Sequence, residues 1–275
     1  MTRQDCRVLP RVVAHRGSSA SVPEHTLAAY ERAIAEGADG LECDVRLTSD
    51  GHLVCLHDRT LSRTSDSRGL VSASSLKQLH DADFGNWSTE LPESADQLVL
   101  ESDPTRPRER VPVLQLPDLL GLIADCGRSV ELLVETKHPT RYGGLVEQRL
   151  VECLERYGMT GPRRHKVTVM SFATSALRRI RTMAPQLRTV QLMKRVPLRY
   201  RDGSLPYEAD VAGPSIEILR AHPRYVQRVH QAGYPVFVWT VDDPADVELA
   251  LGLGVDAVIT NRPADVLGRL HRRAG

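Results

Sequence analysis

Apolar, β-prone runs recur along the chain, and each turns polar at its C-terminal end. They are "RVVAHRG" (11–17), "DGLECDVRL" (39–47), "VELLVETK" (130–137), "KVTVMSF" (166–172), "RTVQLMK" (188–194), "ADVAGPS" (209–215), "YPVFVWTV" (234–241) and "VDAVITN" (255–261). Between them lie segments with apolar residues at helical spacing, such as "TLAAYERAIAEG" (26–37), where Gly37 is the expected C-terminal stop. "RYVQRVHQAG" and "PADVELALGLG" have the same form, each closing on glycine. Eight strands alternating with helices predict an α/β fold, a parallel (β/α)8 TIM barrel. An open doubly wound sheet fits the alternation too, but no G-x-G-x-x-G follows the first strand.

The polar ends matter because a barrel gathers them around one mouth, where barrel enzymes keep their chemistry. Here they are His15-Arg16, Glu42 with Asp44, Glu135 with Lys137, Ser171, Lys194, Trp239-Thr240 and Thr260-Asn261. Strands also become polar merely on leaving a core, so one such end carries little. Two carboxylate clusters, a His-Arg-Gly and a Glu-x-Lys converging together carry much more.

The stretch "TSDGHLVCLHD" (48–58) has turn chemistry followed by alternation, so it should fold back on the second strand as a hairpin and return His57 toward Glu42 and Asp44. Residues 59 to 110 then break the rhythm: they are rich in Ser, Asp, Pro and Arg, with Phe84 and Trp87 in the middle. That length predicts an insertion over the mouth, after the second strand of a single barrel domain spanning 1–275.

Composition narrows the partners. Lys and Arg number 36 against 35 Asp and Glu, so no basic excess points to nucleic acid. The five cysteines are scattered with no C-x-x-C pair, which favours free thiols in a reducing compartment. The N-terminal residues lack a signal-peptide core, and no apolar run is long enough to span a bilayer. The expectation is a cytoplasmic protein with no stable membrane anchor. Nothing in the sequence speaks to oligomeric state.

Glu42 and Asp44 are two apart on a strand, so their side chains share a direction. With Glu135 they form an oxygen-only set suited to one divalent cation, Mg2+ or Ca2+, rather than zinc. A structural ion-pair cluster with Arg16 and Lys137 is the competing reading of the same residues. Arg16 and Lys137 suit an anion, and a cation beside them would clamp a phosphate oxygen. His15 and His57 are suited to general acid and base on either side of it. With no Ser or Cys nucleophile motif, the set describes phosphodiester cleavage.

The stretches "AHRG", "PEHTLAAY", "GADGLECDVRLTSDGHLVCLHD", "VETKHP", "VMSF", "VWTV" and "DAVITNRP" resemble the glycerophosphodiester phosphodiesterases from about residue 12 to 265. The resemblance implies a (β/α)8 barrel with an insertion after the second strand. It assigns the metal to Glu42, Asp44 and Glu135, acid–base catalysis to His15 and His57, and phosphate binding to Arg16 and Lys137. It implies hydrolysis of a small glycerophosphodiester, through attack by the glycerol 2-hydroxyl and opening of a cyclic phosphate by water, to sn-glycerol 3-phosphate. Trp239 is a candidate for packing on the glycerol backbone; a core role is the alternative. Phe84 and Trp87 are weaker candidates, and Lys194 reads as a solvated surface lysine. His25 stands where the family commonly has Asn, and no role is assigned to it. A lysophospholipase D or phospholipase C-like enzyme acting on lipid is the rival within enzymes. The polar insertion and an aromatic content of only 4% favour a water-soluble diester. A catalytically silent metabolite-binding protein would require a missing ligand or histidine, and none is missing.

Overall fold

The computed structural model describes residues 9–85, 110–161 and 166–274. Eight parallel strands follow the predicted runs: β1 (Arg11–His15), β2 (Gly40–Leu47), β4 (Glu131–Thr136), β5 (Val167–Ser171), β6 (Arg188–Met193), β7 (Val211–Pro214), β8 (Phe237–Val238) and β9 (Ala257–Thr260). They pair in the order β7-β6-β5-β4-β2-β1-β9-β8, and single parallel bridges, Ala212 to Val236 and Ser215 to Trp239, join the ends of that path. The result is a nearly closed barrel, as predicted. The described helices are α1 (Leu27–Ala35), α2 (Leu76–His80), α3 (Leu116–Asp125), α4 (Leu145–Arg156), α5 (Thr174–Met183), α6 (Ile216–Ala221), α7 (Arg224–Gln231), α8 (Pro244–Leu253) and α9 (Pro263–Ala274). No helix among the described residues is long and apolar enough to cross a membrane.

The two-residue period of a strand sorts every barrel strand into two faces. Leu41, Cys43, Val45, Leu132 and Val134 point outward and pack on Tyr30, Leu119, Ile123, Leu150 and Leu154 of the surrounding helices. The alternate residues Val13, Leu133, Met170, Val190, Val211, Phe237 and Ala257 fill the lumen. The helices are placed by local chemistry. Thr26 caps α1 by accepting from the Ala29 amide, and α8 ends on Gly254 in the left-handed region.

The hairpin also forms as predicted. β3 (Leu53–Cys55) runs antiparallel to the far end of β2, with Val45 opposite Cys55 and Leu47 opposite Leu53. The described part of the insertion builds an apolar cluster of its own. Leu61, Val71, Leu79, Ala82 and Phe84 form a separate apolar cluster with Val54, Leu56 and Val113. Phe84 is therefore a core residue of this cluster and not a substrate contact. Trp87 lies outside the described residues.

Candidate active site

The lumen changes character one layer above its apolar floor. On four strands the residue two after an apolar lumen residue is polar or aromatic: Val13 leads to His15, Leu133 to Glu135, Met170 to Phe172, and Phe237 to Trp239. Register then makes the pairs, with His15 opposite Glu42 across β1–β2 and Asp44 opposite Glu135 across β2–β4. The outcome is a cavity of about 610 Å3 at the C-terminal mouth. His15, Arg16, Glu42, His57, Glu135, Lys137 and Trp239 all line it, so seven of the eight sequence candidates meet at one opening. Asp44, the eighth, is buried beneath them, held by Arg16, His25 and Lys137. A glycine follows Arg16 for a steric reason. Gly17 has φ +85°, and a Cβ there would sit 2.6 Å from the Ala29 carbonyl carbon.

Oxygen atoms of Glu42, Asp44 and Glu135 come within 4.8 Å of one another, and all three residues are buried. Lys137 Nζ lies 3.1 Å from Asp44 and 2.9 Å from Glu135. Arg16 Nη1 donates to Glu24, and its Nε lies 3.1 Å from Asp44 Oδ2 but off the hydrogen-bond line. The competing ion-pair cluster is thus partly realised, and it does not balance. Three buried carboxylates face two cations, and among the described residues Glu42 takes only the Arg16 amide and the edge of His15, 4.0 Å away. Burial would raise Asp44, but Lys137 and Arg16 outweigh it and hold its carboxyl well below the usual range. Burial and the Asp44 charge instead push Glu42 well up, and Glu135 to about 7. Oxygen-only donors with surplus buried negative charge fit a hard divalent cation.

Each histidine has one nitrogen committed. His15 Nδ1 lies 2.7 Å from Asn261 Oδ1, and the Asn261 amide NH2 donates to Asp242, which fixes which atom faces the ring. The His15 proton therefore sits on Nδ1 and Nε2 faces the cavity. His57 Nδ1 lies 2.6 Å from Asp58 Oδ1, again leaving Nε2 free. Burial, with Arg16 nearby, lowers His15 to about 3; burial also lowers His57, to about 4, against the pull of Asp44. A second tier holds this layer. Arg63 donates from Nε to Asp58 and from both terminal nitrogens to Glu24, which also receives Arg16. Burial would raise Glu24, but Arg63 and Arg16 hold its carboxyl at about 2.

Several of these partners were not readable as site residues. Asp58 adjoins His57 and Asn261 ends a strand, so position hinted at both. Arg63 sits in a segment whose composition reads only as irregular chain. His25 is buried, with Nε2 3.0 Å from Asp44 and Nδ1 2.8 Å from the Tyr30 hydroxyl. It is a support for Asp44 and does not line the cavity. Trp239 is half-buried: its indole N–H donates to the Gly213 carbonyl and its ring meets Phe172 edge-on at 5.4 Å, so it is both wall and core. Lys194 is exposed but is not merely solvated. It borders the cavity with its ammonium 5.9 Å from the Phe172 ring centre.

Comparisons with known proteins agree with this geometry. The family model described as "Glycerophosphoryl diester phosphodiesterase family" matches residues 15–265. A Mycobacterium tuberculosis protein named "Probable glycerophosphodiester phosphodiesterase 1" is 44% identical over 92% of this chain and 90% of its own. A "Glycerophosphodiester phosphodiesterase" of Caldanaerobacter subterraneus is 32% identical over 96% of this chain and 98% of that protein. The structure of an Oleispira antarctica phosphodiesterase in complex with the product sn-glycerol-3-phosphate superposes with a TM-score of 0.80. It is 26% identical and covers 96% of this chain and 97% of that one. With a barrel of the same architecture and relatives of this identity over nearly its whole length, the chain belongs to the glycerophosphoryl diester phosphodiesterase family and is an enzyme of that type.

Proposed function

We propose that the enzyme hydrolyses glycerophosphodiesters, such as glycerophosphocholine and glycerophosphoethanolamine, to sn-glycerol 3-phosphate and an alcohol, using one divalent cation. One observation carries the reading: three buried carboxylates, two cations and two tautomerically fixed histidines converge on a single cavity. The product named in the Oleispira structure agrees with it. Glu42, Asp44 and Glu135 would hold Mg2+ or Ca2+, which when bound supplies charge neutralisation at a phosphate oxygen. Lys137 and the free end of the Arg16 guanidinium, aimed by Glu24, bind the phosphate. Trp239 packs against the glycerol side of the substrate.

The histidine roles follow from what stands behind each ring. Asp58 can stabilise an imidazolium at His57, whereas neutral Asn261 leaves His15 a poor cation. His15 Nε2 therefore takes the proton of the glycerol 2-hydroxyl as its oxygen bonds to phosphorus. His57, held protonated in the complex by the negative charge of the bound phosphodiester together with Asp58, gives its proton to the departing alcohol oxygen as that P–O bond breaks. In the second half His57 takes a proton from water, which attacks the cyclic phosphate, and His15 returns its proton to the 2-oxygen. The charged lining favours this water-soluble class over a lysophospholipid. Cys43, Cys55, Cys126 and Cys153 are free thiols, in keeping with a cytoplasmic setting. The test compares release of sn-glycerol 3-phosphate from glycerophosphoethanolamine with release of lysophosphatidic acid from lysophosphatidylcholine. Turnover of the first should exceed the second; the reverse order would favour the lipid enzyme.

A further inference from the structure

Lys194 belongs to two spaces. Besides bordering the barrel cavity, it forms part of the wall of a second groove of about 790 Å3, made by the chain after β6 and by the junction of α6 and α7. Arg195, Arg201, Arg224 and Arg228 also line this groove, and Glu217 is the one carboxylate among its described lining residues. Arg228 donates to the Arg201 carbonyl, and Lys194 and the four arginines form no ion pair among the described residues. Unneutralised cations facing one hollow raise the local concentration of anions and repel cations. The Phe172 ring beside Lys194 is a poor seat for a quaternary ammonium as well. The Lys194 ammonium already stands over the Phe172 ring, so a choline group there would meet a like charge.

Both spaces are of small-molecule size, and they adjoin at a single lysine. Resting on the reading of the barrel cavity as a glycerophosphodiesterase site, we infer that the basic groove is the head-group subsite. It selects diesters whose alcohol carries a further negative charge over neutral ones, and neutral ones over cationic ones. The cavity layer holds the glycerol phosphate; the alcohol passes Lys194 and projects its charged end among Arg195, Arg201 and Arg224. Glycerophosphocholine is then a substrate, but a poor one.

The test compares kcat/KM for bis(glycerophospho)glycerol, glycerophosphoglycerol and glycerophosphocholine, which offer an anionic, a neutral and a cationic alcohol, at low and high salt. The expected preference for the first over the last is about tenfold or more at low salt, shrinking as salt screens it. The double variant Arg201→Gln, Arg224→Gln should lose that preference, its kcat/KM falling more on bis(glycerophospho)glycerol than on glycerophosphoglycerol, because the arginines meet the charge of the alcohol. The matching Lys variants should retain the preference, which a merely structural role for the arginines would not require. Equal kcat/KM on the three substrates, a preference for choline, or an unchanged ratio in the Gln variant would overturn the inference. Failure to cleave any of the three would overturn the hydrolase reading itself, and this inference with it.

Discussion

His15 and His57 are the same side chain backed by different partners, a neutral amide and a carboxylate, and that difference sets their predicted roles. His15→Ala and His57→Ala should each lower kcat by about 10²-fold or more, the usual scale for losing a general acid or base. The double variant should lose less than the product of the two losses, because the pair acts as a unit. Asp58→Asn probes the acid more finely. The carboxylate raises the His57 pKa, so its removal lowers that pKa, and a general acid is active only below it. The alkaline limb of kcat should accordingly move to lower pH. A limb that stays in place would mean that Asp58 does not support a protonated His57. In contrast to these rings, Arg16 is tied to Glu24 and borders Asp44, so Arg16→Ala should raise KM and also destabilise the fold.

At the scale of elements, the insertion and the barrel are stitched by Arg63, whose guanidinium spans Glu24 before α1 and Asp58 after the hairpin. Glu24 has a folded pKa of about 2, below its ordinary value of 4.5. Its contribution to stability is therefore present above about pH 4.5 and is lost as pH falls toward 2. Arg63→Met removes the hydrogen bonds that hold it there, so the acid-unfolding midpoint followed by circular dichroism should move to higher pH. An unmoved midpoint would deny that this pair couples the two parts. The insertion's own cluster gives a second measure: Leu79 is fully buried in it, and Leu79→Ala should cost about 2–5 kcal/mol in denaturant unfolding. For the same reason a deletion of residues 65 to 107 would strip cover from Val54 and Leu56, so it should lower stability as well as alter substrate choice.

Across the whole molecule, what was legible in the sequence is what the two-residue period controls. Val13–His15, Glu42–Asp44 and Glu135–Lys137 could be placed on the lumen side because alternation alone fixes the face. The run 234–241 reads as a full strand, yet only Phe237 and Val238 join the ladder. There the barrel closes on β7 by single bridges, a feature of curvature and not of local propensity. The Glu24–Arg63 pair joins residues 39 apart through tertiary placement, and no local pattern announces it. His25 was equally silent, since its partner Asp44 meets it only when α1 packs against β2. Phe84 looked like a lid aromatic because a polar segment carried it, and the cluster beneath was not visible as a period.

Under the proposed function the buried carboxylates hold a cation without which this enzyme does not turn over. Glu42→Ala, Asp44→Ala and Glu135→Ala should each weaken metal binding, because each removes both a donor and a charge. The most direct measurement is release of sn-glycerol 3-phosphate from glycerophosphoglycerol by enzyme stripped with EDTA, before and after addition of Mg2+ or Ca2+. The stripped enzyme should not turn over and should recover with one of the two ions, at a higher ion concentration in any variant of the three carboxylates that retains activity. Full turnover in excess EDTA, with no metal retained by the protein, would contradict it.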